Sequence, residues 1–169
     1  MLFVLRFFHI VSGVLWAGAL IFVAWFLMPS LRAAGPAAGP VMGQLGKVRK
    51  MPVYMMAVAF LTILSGIGLM IVVSAGSAGT WMSTGPGRTF AWGATFAILA
   101  AIIGMTFSSP AAKKMSVIGA TVAQRGGAPT AEEAAEMQRL QARVQRSTQI
   151  VSVLVLLATT AMAVARYVP

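Results

Sequence analysis

Residues 52–74 read PVYMMAVAFLTILSGIGLMIVVS, a stretch without one charged side chain. A helix needs ~20 consecutive apolar residues to cross the hydrocarbon core of a bilayer. This stretch meets that length and is apolar on every face, so it reads as a membrane span. Outward from it, further apolar runs lie at about 3–28, 89–108 and 148–166. Turn chemistry separates the four runs: Gly35-Pro36 and Gly39-Pro40, the segment from Gly76 to Gly87, and Gly126-Gly127-Ala128-Pro129. The first run is long for a signal peptide and has almost no basic leader. It meets Pro29 where a small-residue cleavage site would stand, so it reads as a retained helix. The expected fold is an all-α, four-span transmembrane helix bundle, with residues 1–169 forming a single integral membrane domain.

Composition points the same way. Of 169 residues, 59% are hydrophobic and 9% charged, against roughly 25% charged in a soluble domain. Such a chain cannot cover a water-facing surface. Cysteine is absent, which excludes disulfides, iron–sulfur clusters, thiolate zinc sites and cysteine nucleophiles. There is no Asp, the only carboxylates are Glu132, Glu133 and Glu136, and the one imidazole is His9. Paired-acid catalysis, a His/carboxylate metal cage and an intramembrane carboxylate relay therefore lack their raw material. No catalytic set is legible, and whether the chain is an enzyme stays open.

The net charge is +10. Its basic residues flank apolar spans, so the partner they fit is a bilayer with anionic headgroups, not a nucleic acid. The first connection holds Arg32, Lys47, Arg49 and Lys50, and the third holds Lys113, Lys114, Arg125, Arg139, Arg143 and Arg146. The second holds only Arg88. Basic residues mark cytoplasmic connections. The expectation is a multi-pass protein of a bacterial inner membrane, with the first and third connections cytoplasmic and both termini outside.

The third connection is too regular to be a loop. Met115, Ile118 and Val122 form one apolar stripe, and Met137, Leu140 and Val144 form a matching one after the Gly-Gly turn. Thr130 with Glu133 has the spacing of a capping box. A cytoplasmic helical hairpin at about 110–147, extending the third and fourth helices, is predicted. Arg139, Arg143 and Arg146 recur on one side of it, as a solvated face touching headgroups or as a docking surface for an acidic partner. Within the spans, Gly93, Ala97 and Ala101, and Ala100, Gly104 and Ser108, are packing seams of small residues.

His9 is the polar residue that asks for an explanation. Arg6, Gly13 and Trp16 share its helical face. An intramembrane imidazole is costly unless it is hydrogen-bonded or ligated. One reading is a bond to a Thr or a carbonyl of a neighbouring helix. The other is axial ligation of haem b, since neutral imidazole is a common iron ligand. Gly13 would clear room for the macrocycle, Trp16 would stack on it and Arg6 would pair with a propionate. Antiparallel threading brings Met70 and Met162 to a similar level as candidate second ligands. Arg88 and Arg166 reach the same side, where they could hold propionates or another anion, or snorkel to lipid phosphates.

The run Phe8-His9-Ile10-Val11-Ser12-Gly13-Val14-Leu15-Trp16-Ala17-Gly18-Ala19-Leu20 resembles the first helix of the small integral membrane, haem-binding protoporphyrinogen oxidases of bacteria, and also that of copper-resistance D-type membrane proteins. Arg49-Lys50-Met51-Pro52, with Leu61-Thr62 and Gly66, is similar to the stretch opening the second helix of the oxidase family. The resemblance spans the first two helices and implies a haem-binding role for His9. The oxidase family closes its first helix with another histidine where this chain has Phe26-Leu27-Met28, and no His follows in the later spans. The leading expectation is therefore a b-type haem (or related porphyrin) binding membrane protein that passes electrons or senses a small ligand. The alternatives are a non-catalytic accessory subunit packed against a larger membrane complex or a second copy, and a transporter or lipid- and anion-binding protein.

Overall fold

Glycine and proline set the ends of the helices. The computed structural model describes residues 1–169, the side chain of Pro36 excepted. Helix α1 (Leu2–Ala33) is followed by a 3-10 turn at Gly35–Ala37, a short helix α2 (Ala38–Gly43) and a π turn at Gln44–Val48. Helix α3 (Met51–Gly76), helix α4 (Gly85–Arg125) and helix α5 (Ala131–Val164) complete the chain. Among the described residues, four helices, α1, α3, α4 and α5, are long and apolar enough to cross a membrane. The protein is all-α.

Two of these helices pass through a proline; in α1 this carries the helix beyond the span read from sequence, and in α4 it carries it into the predicted hairpin. A proline lacks the N–H that would bond the carbonyl four residues back, and its ring crowds that carbonyl. In α1 a π turn at Val23–Leu27 stands just before Met28-Pro29, and in α4 a π turn at Gly104–Ser108 stands just before Ser109-Pro110. Widening the helix ahead of each proline relieves the crowding and lets the axis continue.

The helices pack as two antiparallel pairs, α1 with α3 and α4 with α5, joined chiefly by α1 against α5. Where the pairs meet, Trp16, Ala17 and Leu20 of α1 cluster with Val58 of α3, Ala97 and Ala100 of α4, and Val151, Val155 and Ala158 of α5. The small residues of α4 and α5 bring backbones close: a Cβ on Gly93 would lie 3.2 Å from the Ala158 carbonyl oxygen. Polar stitches run both between the pairs and within one of them. The Trp25 indole donates to Ser152 Oγ at 3.0 Å, and Ser108 and Ser147 share a 2.8 Å bond. Among the described residues, no buried side-chain donor or acceptor lacks a partner, as a medium without water requires.

Most of the apolar surface faces outward. Only 17% of the most apolar stretch of α3 is buried, and Phe60, Leu64, Ile67 and Ile71 stand exposed along it. In water this would be an aggregation surface; in a bilayer it is the surface that lipid covers.

Beyond the spans, α4 and α5 continue as the hairpin. Gly126, at φ +70°, ends α4, and Thr130 with Glu133 forms the complete capping box that starts α5. Leu140 is buried. Lys114 bonds Glu136 at 2.9 Å, and Arg125 grips both oxygens of Glu133 at 3.0 and 2.7 Å. The Arg125 guanidinium, helped by the Thr130 N–H, holds the Glu133 carboxyl down at about 2. The Lys114 ammonium likewise lowers Glu136. Both termini lie at the opposite, terminal end.

Candidate functional site

Of the six buried polar side chains, Ser12, Thr62 and Ser65 lie between α1 and α3, whereas Ser147, Thr148 and Ser152 belong to α5. His9, two turns into α1, places Nδ1 2.8 Å from the carbonyl oxygen of Thr62 on α3. A carbonyl can only accept, so Nδ1 carries the proton and donates it. In a neutral imidazole this fixes the other nitrogen, Nε2, as the one with the free lone pair. The ring is partly buried, and it lies against Gly66, one turn along α3 from Thr62. A Cβ at position 66 would sit 2.8 Å from Cε1 and 3.1 Å from Nδ1, but 3.8 Å from Nε2. Only glycine lets the ring come this close.

Hydroxyls surround that bond. Thr62 Oγ1 donates to Ser12 Oγ at 2.9 Å and lies 2.7 Å from the Val58 carbonyl. Ser12 Oγ donates to the Phe8 carbonyl at 2.5 Å, and Ser65 Oγ lies 3.1 Å from the Thr62 carbonyl. His9, Ser12, Thr62 and Ser65 thus form one connected set, whose four members come from two helices. Its chemical product is a single oriented imidazole with one lone pair uncommitted.

The other residues expected at this site separate. Arg6 is exposed one turn from His9 towards the terminal end. Met70 lies on the α3 face that carries Thr62 and Gly66, one turn beyond the ring. Gly13 does not open space for a macrocycle: a Cβ there would meet the Thr62 methyl at 3.6 Å, so its role is helix packing. Trp16 offers no stacking wall, because it is 5% exposed in the cluster where the helix pairs meet. Met162 packs over Gly93 on α4, within the other helix pair. Arg88 borders a shallow recess with Trp92 and Thr95, and Arg166 stands 4.8 Å over the ring of its neighbour Tyr167. Their backbones belong to the α4–α5 pair, whereas Arg6 and His9 belong to α1.

Thr62 and Gly66 are neighbours of His9 that the sequence alone did not assign to the site. The signal for them was their four-residue spacing, which puts both on one face of α3, but the α1–α3 register was needed to set that face against His9. No match is found among protein-family models, curated proteins or solved structures.

Proposed function

We propose that the chain is a membrane protein that binds a b-type haem or a related metalloporphyrin through His9. The observation that carries this reading is the Nδ1–H bond to the Thr62 carbonyl. Metal-ligating histidines almost always donate their second ring N–H to a carbonyl or carboxylate, which fixes the ring and raises its basicity. Here such a partner is in place, which would leave Nε2 free to ligate. A bound haem would supply one-electron chemistry or a site for a small gaseous ligand.

The chain's own residues have distinct tasks. His9 binds, the Thr62 backbone orients it, and Gly66 gives the ring its seat. Met70 is the candidate second ligand on the same helix pair, and Arg6 is the partner offered to a propionate. Gly13, Trp16 and Met162 have no place in the site.

The setting we infer is a bacterial inner membrane with the hairpin in the cytoplasm, on the strength of the basic residues that crowd the first and third connections. The test of the haem reading is an absorption spectrum of protein purified from cells supplied with a haem precursor. Wild type is expected to show a Soret band, and His9→Ala to lose nearly all of it, since no other imidazole or thiolate exists in the chain. A colourless wild type, or a His9→Ala protein that keeps the band, contradicts the reading.

A further inference from the structure

A recess lies at the hairpin end, away from His9. It is a groove of about 590 Å³ between α4 and α5, beside the π turn of α4. Its floor is apolar: Ile103 and Phe107 come from α4, and Ile150 from α5. Phe107 and Ile150 are about half exposed. Its rim is an arginine ladder, Arg139, Arg143 and Arg146, at four- and three-residue spacing on α5. At 1.5 Å per residue the ladder rises ~10 Å along the helix.

The charge on this rim is largely unanswered. Of the three glutamates, Glu133 is taken by Arg125, Glu136 by Lys114 with a 3.7 Å approach from Arg139, and Glu132 pairs with none of the three rim arginines. Among the described residues, neither Arg143 nor Arg146 forms an ion pair. Arg143 instead stands 5.3 Å over the ring of Phe107, which holds the guanidinium above the apolar floor.

The position of the groove decides what fits it. On the membrane side lie the uncharged residues of α5 from Gln149 to Val164; on the other side lies the charged hairpin. A ligand here must be apolar at one end and anionic at the other. We propose that this groove is a binding site for an anionic phospholipid. Its phosphate is held by Arg143 and Arg146, and an acyl chain lies along Ile103, Phe107 and Ile150. Guanidinium forks match phosphate oxygens in pairs, which lysine cannot do. Arg139, furthest from the apolar region, reaches polar groups at the outer part of the head. The site is independent of the role of His9, which lies on the other helix pair.

The test is native mass spectrometry of the full chain in a neutral detergent, with phosphatidylglycerol and phosphatidylcholine of identical acyl chains. Wild type is expected to prefer phosphatidylglycerol by about tenfold or more, the effect of one or two charge-assisted bonds. Arg143→Gln with Arg146→Gln should remove that preference without changing the helical circular dichroism. Should that double variant misfold, Arg143→Lys with Arg146→Lys keeps the charge and should still lose part of the preference. Lys47→Gln with Lys50→Gln, a control of equal charge change, should retain the preference in full. Inorganic phosphate in excess should leave the lipid adduct in place. Equal binding of the two lipids, equal loss in the control, no loss in either arginine pair, or displacement by inorganic phosphate would each overturn the proposal.

Discussion

At the residue scale the pose of His9 rests on one hydrogen bond and one missing methyl group. The Thr62 carbonyl sets the tautomer of His9, and the bare Cα of Gly66 sets where the ring can lie. Different substitutions separate the two. Thr62→Val keeps the backbone acceptor but loses the Oγ1 bonds to Ser12 and Val58. It should cost about 1 kcal/mol in stability and leave the spectrum of bound haem unchanged, as a melting curve and an absorption scan will report. Gly66→Ala does the reverse. Its Cβ would intrude to 2.8 Å from Cε1, so the ring must move, and haem binding should fall while the helices stay folded. Normal binding in Gly66→Ala would mean that the observed ring position is not the ligating one.

At the element scale, the hairpin shows how charge and packing share the work. The depressed Glu133 contributes stability that is fully present above about 4.5 and is lost as the pH falls towards about 2. Spin labels at Thr121 and Gln138, both exposed, should show a distance distribution that broadens over this window; in Glu133→Gln the acid-dependent broadening should be much reduced. Leu140→Asp attacks the packing instead. Burying a leucine is worth ~1.5–3 kcal/mol, so hydrogen exchange across 131–147 should quicken at neutral pH. The hairpin was legible in the sequence because stripes at helical spacing and a capping box are local signals. The end of α1 was not, since proline normally stops a helix and the π turn that carries the axis past Pro29 leaves no local mark. Trp16 was misplaced for a different reason. Helical spacing put it on the His9 face, but it could not say that this face turns, two coils further on, into the junction with α5.

At the scale of the whole molecule, the two helix pairs keep their polar features apart. The α1–α3 pair holds the oriented imidazole, and the hairpin end of the α4–α5 pair holds the arginine groove. Their proposed placement across a bilayer rests on the basic connections. A reporter fused at the C-terminus should report from outside and one inserted near Gly127 from the cytoplasm; the reverse labelling would overturn the orientation. The most direct test of the central claim uses the fact that the entire chain contains one histidine. Ring-¹⁵N-histidine labelling of the full protein gives signals from His9 alone, and ¹⁵N shifts distinguish a protonated ring nitrogen from a bare one. Without haem, the account predicts a protonated Nδ1 and a bare Nε2. On addition of ferrous haem in its diamagnetic carbon monoxide form, Nε2 should shift as it becomes a ligand while Nδ1 keeps its proton. A spectrum in which Nε2 carries the proton, or in which haem leaves Nε2 unmoved, would contradict it.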